Sequence, residues 1–502
     1  MPDSSEAGLY QKIQQKLPFR LIPAIICLCI YCAVYMAPKP EGLTLEAWHF
    51  VALFICAILA IILKVMPIGP VSILAVAAVA FSQTTSPGSA KAMADALSSY
   101  NNPLIWLIVI SVMVSRGLIK TGLGARLGYY FIAMLGRRTL GIGYGLALCE
   151  LLLAPFTPSN TARGGGIIHP IMRSIALAFD SDPAKGTQGK VGTYLALVNY
   201  HANPISSAMF ITATAPNPLV VNYIAEATGG SFHLSWNSWA LYMLIPGLAA
   251  MLLMPLIIYV ISPPQLKNTP NAVDFAKSEL TRLGRLKPAE MIMMGAFLLM
   301  LLLWAGLPAA LFGPSMAFDS TLVAFIGLAI LLLSGVLSWQ DILSEKPAWD
   351  TLIWFGALVM LAGQLNKLGV VFWFSENLRA AIEQSHIGWP LAMAILILVF
   401  MYSHYAFAST TAHISAMMLA FLTVGLHLIP HEYAVLFCLL MTSASALMMA
   451  LTHYATGTSP IIFGSGYVSL GRWWGVGLVI SFINLLIFLI IGGLWWKLLG
   501  LW

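Results

Sequence analysis

Apolar segments long enough to cross a bilayer recur along the whole chain, and no other feature constrains its fold as much. A bilayer presents about 30 Å of hydrocarbon, which a helix needs about 20 residues to span. Runs of that kind lie at about 20–37, 46–64, 103–119, 191–211, 238–262, 291–308, 321–337, 351–365, 388–402, 433–451 and 473–496. Inside hydrocarbon every backbone N–H and C=O must be satisfied within the protein, so such runs fold as helices. Of the 502 residues, 59% are hydrophobic and 9% charged, against roughly 25% charged in soluble domains. The chain therefore reads as an all-α polytopic membrane protein with about 11 transmembrane helices.

The first run has a modest basic flank (Lys12, Lys16, Arg20) and no small-x-small cleavage pattern, so it reads as a retained helix. Threading the chain from a cytoplasmic N-terminus places Lys39, Lys91, Lys367, Arg379 and Lys497 outside. With Arg116 and Arg163 set aside as intramembrane, 18 of the 25 Lys and Arg stay inside. That asymmetry predicts a multi-pass protein of the cytoplasmic membrane with its N-terminus in the cytoplasm. The net charge of +6 then reflects orientation and anionic headgroups, and no nucleic-acid partner is expected. Cys27, Cys29, Cys32, Cys56, Cys149 and Cys438 all sit in apolar runs, so neither disulfides nor a metal site is expected, and no motif points to a cofactor.

The only long polar linker, residues 263–290, divides the chain near its middle. "PLIWLIVISVMVSRGLIKTGL" (103–123) resembles "TLIWFGALVMLAGQLNKLGV" (351–370), with Trp106 and Trp354 248 positions apart. "ITATAPNPLVV" (211–221) resembles "ATGTSPIIFGSG" (455–466), with Pro216 and Pro460 244 apart. "PFTPSNTARGGG" (155–166) pairs with "ASTTAHISA" (408–416), Ser159 and Ser409 being 250 apart. After residues 1–45, the N-terminal segment and first helix, these pairs define repeats at 46–262 and 291–502. An odd number of crossings in the first repeat inverts the second, a pattern found in secondary transporters.

The polar strings interrupt apolar surroundings. Residues 141–179 and 388–426 each contain two apolar arms that look too short to cross, joined by a polar tip, which predicts two opposed re-entrant hairpins. Ser, Asn and Thr cap helix N-termini, whose free N–H groups carry the positive end of the helix dipole. Each tip is thus a candidate anion site, or simply a capped loop. At the breaks around Pro216 and Pro460, missing backbone donors free carbonyls for a cation or for a hinge. Gly164, Gly165 and Gly166 suit close packing or bending of a moving backbone. "HEYAV" (431–435) lacks the second histidine of a zinc protease, and no phosphate-binding loop is present, so the chain is not read as an enzyme.

From about residue 46 to the end, the paired tips and breaks resemble the divalent anion/sodium symporter family. "PSNTARGGGIIHPI", "HYATGTSPIIFGSGY" and "GRWWGVGLVIS" are most similar to its branch of bacterial citrate/succinate and tartrate/succinate antiporters and plastid 2-oxoglutarate/malate translocators. The resemblance implies a homodimeric elevator transporter of di- and tricarboxylates. It also implies that Ser159, Asn160, Thr161, Ser409, Thr410 and Thr411 hold the substrate carboxylates, with Thr214, Pro216, Thr458 and Pro460 from the breaks. The second tip reads Ser-Thr-Thr in place of Ser-Asn-Thr, and the breaks read "TAPN" and "TSPI" in place of "TPPN", which puts sodium sites in doubt.

Arg163 and His413 stand two positions beyond the tip threonines. They are candidate counter-charges in place of coupling cations, since a dianion in a low-dielectric site needs compensation. Two other placements stay open: Arg163 paired with Glu150 or a lipid phosphate, and His413 as a neutral core histidine. A fixed positive charge favours anion exchange, with sodium symport as the alternative.

Overall fold

The computed structural model describes residues 17–374, 377 and 388–502; Lys12, Lys16 and Arg379 lie outside them. Among the described residues the chain is all-helical, without a strand. Among the described residues nine helices are long and apolar enough to cross a membrane, or ten if Pro270–Leu283 and Pro288–Trp304, bent by 109°, form one span. The shortfall from eleven has local causes. The runs at 20–37 and 321–337 fold as the shorter helices Leu21–Met36 and Ser320–Leu333. The run at 191–211 folds as Gly192–Met209, buried at every residue although it carries Asn199, His201, Asn203, Ser206 and Ser207. A helix that polar persists at membrane depth only when wrapped in protein.

Both expected hairpins reverse direction at their tips. The first rises as Thr139–Leu153 and returns as a wide π-helical stretch, Thr161–Ile168, continued by His169–Ala178. The second rises as Trp389–Tyr402 and returns as Thr410–His413, a π turn Ile414–Met418 and Leu419–Leu428. The arms of each lie side by side. A Cβ added to Gly128 would sit 2.6 Å from Ile171 and 3.6 Å from Cys149, one residue on each arm. In the second, the Phe400 and Phe421 rings stand 5.7 Å apart.

For three of the four arms the expectation that they are too short to cross is corrected. Thr139–Phe156 and Trp389–Ala406 have 18 residues each and Thr410–Leu428 has 19, about 27 Å of helix at 1.5 Å per residue. Sequence inspection ended the arms at the prolines and polar residues, whereas the helices run up to the tips. Both tips end in one cavity.

The mid-chain linker is a folded brace. Helix Pro270–Leu283 buries Ala272 and Ala276, and Phe275 meets Tyr129 edge to face at 6.3 Å. Arg126 grips Glu290 at 2.7 and 3.1 Å and the Gly284 carbonyl at 2.8 Å. A buried two-pronged pair of this kind fixes orientation more than a point contact does.

Candidate functional site

Each tip is built on the same local device. Ser159 Oγ accepts the Ala162 N–H at 3.1 Å, and the Arg163 N–H reaches the Ser159 carbonyl at 3.0 Å. At the other tip Ser409 Oγ accepts the Ala412 N–H at 3.3 Å, and the His413 N–H reaches the Ser409 carbonyl at 3.1 Å. Each serine thus satisfies one N–H of the helix it starts, and its own hydroxyl proton is left for another acceptor. Both tips line one cavity of about 240 Å³ with Thr214, Ala215 and Pro216 of the first break and Thr456 and Gly457 of the second. Val112, Pro347 and Thr351 close it from the helices Pro103–Thr121 and Lys346–Lys367.

Exposure alternates identically along the two tips. Ser159 and Thr161 are part-exposed around buried Asn160, and Ser409 and Thr411 are part-exposed around buried Thr410. The middle residues are brackets. Asn160 Nδ2 donates to Thr456 Oγ1 at 2.8 Å and Asn203 Oδ1 at 3.3 Å, while Thr410 Oγ1 donates to the Ala455 carbonyl at 3.2 Å. The outer residues face the cavity.

Three sequence-based assignments are corrected. Thr458 and Pro460 do not line the cavity: they belong to the helix Thr458–Gly464, where Thr458 is fully buried and Pro460 exposed. Thr456 and Gly457, just before that helix, take the place of Thr214 and Ala215. The second break thus meets the cavity two residues earlier than the pairing of Pro460 with Pro216 predicts.

Arg163 does not reach the cavity either. Its side chain is 0% exposed and pairs with Glu150 at 2.6 Å. Its remaining donors go to the carbonyls of Thr157 (2.6 Å) and Ala213 (2.7 Å) and to the hydroxyls of Ser206 (3.2 Å) and Ser207 (3.1 Å). All five guanidinium N–H groups are used, and Glu150 neutralises the charge. Asn203 Nδ2 and Ser206 Oγ also donate to the Glu150 carboxylate, at 2.7 and 3.1 Å.

His413 is likewise withdrawn. It is fully buried between Phe400 and Phe407, with ring centroids 4.8 and 4.4 Å away. Its Nε2 meets Ser403 Oγ at 3.0 Å and its Nδ1 meets His404 Nδ1 at 3.1 Å. His404 Nε2 faces the Ala455 carbonyl at 3.0 Å and so carries a proton. His404 Nδ1 then accepts from His413 Nδ1–H with both rings neutral, and the single Ser403 hydroxyl proton is shared between His413 Nε2 and the Phe400 carbonyl at 2.8 Å. His404, unnoticed in the sequence, is the histidine that meets a freed carbonyl.

Two carbonyls of the breaks have protein donors: Ala213 takes Arg163, and Ala455 takes His404 and Thr410. Among the described residues no ionisable side chain lines the cavity. Helices start at its lining or next to it, at Thr161, Thr410 and Asn217, and a helix start is equivalent to about half a positive charge. Close packing is visible at two of the three glycines. A Cβ on Gly164 would lie 2.9 Å from Asn203 Nδ2, and one on Gly165 2.9 Å from Ile461, whereas Gly166 faces open space.

This arrangement suits holding a small anion at membrane depth, and comparison with known proteins agrees. The profile of the sodium:sulfate symporter transmembrane region matches residues 19–502. The chain belongs to this family, the divalent anion/sodium symporters. Among family relatives, the putative malate transporter YflS of Bacillus subtilis (strain 168) is 45% identical over 483 residues, 96% of this chain and 97% of the relative. Dicarboxylate transporter 1 of Spinacia oleracea chloroplasts is 39% identical, covering 96% and 82%. The L-tartrate/succinate antiporter of Shigella sonnei (strain Ss046) is 35% identical, covering 93% and 96%. The crystal structure of the YdaH transporter of Alcanivorax borkumensis shares the fold, with a TM-score of 0.51, 13% identity and coverage of 80% and 86%. The protein is accordingly a multi-pass membrane transporter, not an enzyme.

Proposed function

We propose that the protein exchanges di- and tricarboxylates of the succinate, malate, fumarate, 2-oxoglutarate and citrate class across the cytoplasmic membrane, without sodium. The observation that carries this reading is two identically capped serine tips facing one cavity of about 240 Å³. One carboxylate is held at each tip by the serine hydroxyl, the following threonine and the helix N–H groups. Three relatives described as malate, dicarboxylate and tartrate/succinate carriers support the substrate class. Sodium coupling would need vacant carbonyls behind the tips. Those of Thr157, Ala213 and Ala455 are instead occupied by Arg163, His404 and Thr410. With Arg163 neutralised by Glu150, exchange has a different origin from a fixed charge. When the cavity is empty, the positive helix ends face one another uncompensated, so the empty unit crosses slowly; a bound dianion relieves that repulsion.

The inverted repeats support an elevator movement of the hairpins and breaks against the helices Pro103–Thr121 and Lys346–Lys367. Val112, Pro347 and Thr351 contact the cavity from that side. Their counterparts at the Trp106-to-Trp354 offset of 248 are Met360, Ser99 and Pro103, and all three line a second, polar cavity of about 560 Å³. That cavity is the second station of the proposed movement. Homodimeric assembly is carried over from the family resemblance, and a cytoplasmic N-terminus from the Lys and Arg asymmetry.

A panel of internal anions tests the substrate class. Vesicles loaded with succinate, malate, fumarate, 2-oxoglutarate or citrate should accelerate labelled malate uptake. Monocarboxylates and sulfate should not, because one tip would stay unfilled. Equal stimulation by a monocarboxylate would contradict the two-tip reading.

A further inference from the structure

A larger cavity, of about 620 Å³, adjoins the site and shares Ser409 and Thr411 with it. Its far end is formed by the turn after helix Leu45–Ile62, where Arg20 and Lys64 are the only ionisable lining residues among the described ones. Asp350 packs nearby against Gly69 but is not part of the lining. Lys64 is exposed and held at φ 52°, in the left-handed region. The turn is a Schellman cap: Lys64 N–H meets the Ile61 carbonyl at 3.1 Å, and Val65 N–H meets the Ala60 carbonyl at 2.9 Å. That place is usually glycine, since a side chain there strains the backbone. Arg20 is fastened to the same turn, its backbone N–H on the Val65 carbonyl at 2.9 Å and its guanidinium on the Leu63 carbonyl at 3.3 Å. Two cations thus belong to one turn, one of them at a backbone cost, and line a cavity that also reaches a serine tip.

We propose that Arg20 and Lys64 form an outer docking site for the dicarboxylate, capturing it on the membrane face that carries the N-terminus before it passes to Ser409 and Thr411. Like charges lining a low-dielectric mouth focus the field and concentrate a divalent anion there. Both side chains remain hydrated, so the site loads and releases quickly, and salt weakens it. The inference rests on the dicarboxylate reading above.

The test uses the full-length protein in vesicles of phosphatidylcholine alone, with labelled malate presented to one face at a time. In the R20Q/K64Q variant, KM on the N-terminal face should rise about tenfold, with Vmax and the KM on the opposite face unchanged. The salt dependence of the wild-type KM on that face should flatten. R20K/K64R should behave as wild type. K64G alone should raise KM while melting no lower than wild type, since it removes the charge together with the strain. An unchanged KM in R20Q/K64Q, or an equal rise on both faces, overturns the docking site while wild-type exchange still supports the dicarboxylate reading. An effect seen only when anionic lipid is added assigns the pair to headgroups and also overturns it. Absence of malate exchange by the wild type overturns both.

Discussion

Truncating Glu150 to alanine should destabilise the protein by about 3–5 kcal/mol, because it leaves the Arg163 guanidinium buried without its counter-charge. Both side chains are 0% exposed and 2.6 Å apart. The loss would spread, since Asn203 and Ser206 donate to the same carboxylate and Asn203 also braces Asn160. Arg163→Ala should be comparably damaging, as it strips the donors from the Thr157 and Ala213 carbonyls and strands Glu150. Removing both charges as Glu150→Leu with Arg163→Met should cost less than the two single changes summed. Thermal unfolding of the purified protein in detergent reads the three variants against wild type. Strict additivity would show that the pair is not coupled and that Arg163 faces elsewhere.

The second large effect is expected at the tips. Ser159→Ala and Ser409→Ala each remove a hydroxyl proton aimed at a carboxylate, worth about 1.5–3 kcal/mol for a hydrogen bond to a charged partner, or roughly 10- to 100-fold in malate KM. Each also removes an N-cap, costing about 1 kcal/mol of stability. Threonine at either position retains the hydroxyl and should restore most of the affinity. Because both tips line one cavity, where we propose they share one ligand, the double alanine variant should show no saturable uptake. Unaltered KM in either single variant would remove that serine from the binding site.

Much of this was legible in the residues themselves. The tips stood out because Ser, Asn and Thr in an apolar chain have few roles other than capping, and the offset of 250 pointed to two of them. Periodicity and composition sufficed for the helices. Side-chain direction was not legible. In the first return arm, "NTARGG" gives no sign whether the guanidinium points to the cavity or back along the arm, and only the helical geometry brings Arg163 onto Glu150. The second break was misplaced by two residues because Pro460 was matched to Pro216, although Pro460 sits inside a helix and Pro216 before one. The scaffold contacts Val112 and Thr351 carry no local signature. A usable signal did exist in "NYHANPISS" (199–207), whose polar residues in a spanning-length run marked a helix wrapped in protein.

The central claim is that the cavity crosses the membrane only when filled and needs no sodium. Its most direct measurement is labelled malate uptake into vesicles that are either empty or loaded with unlabelled malate, each with sodium and with sodium replaced by choline. Rapid uptake into loaded vesicles alone, identical in both salts, is the predicted result; sodium-dependent uptake, or equal uptake into empty vesicles, would contradict it.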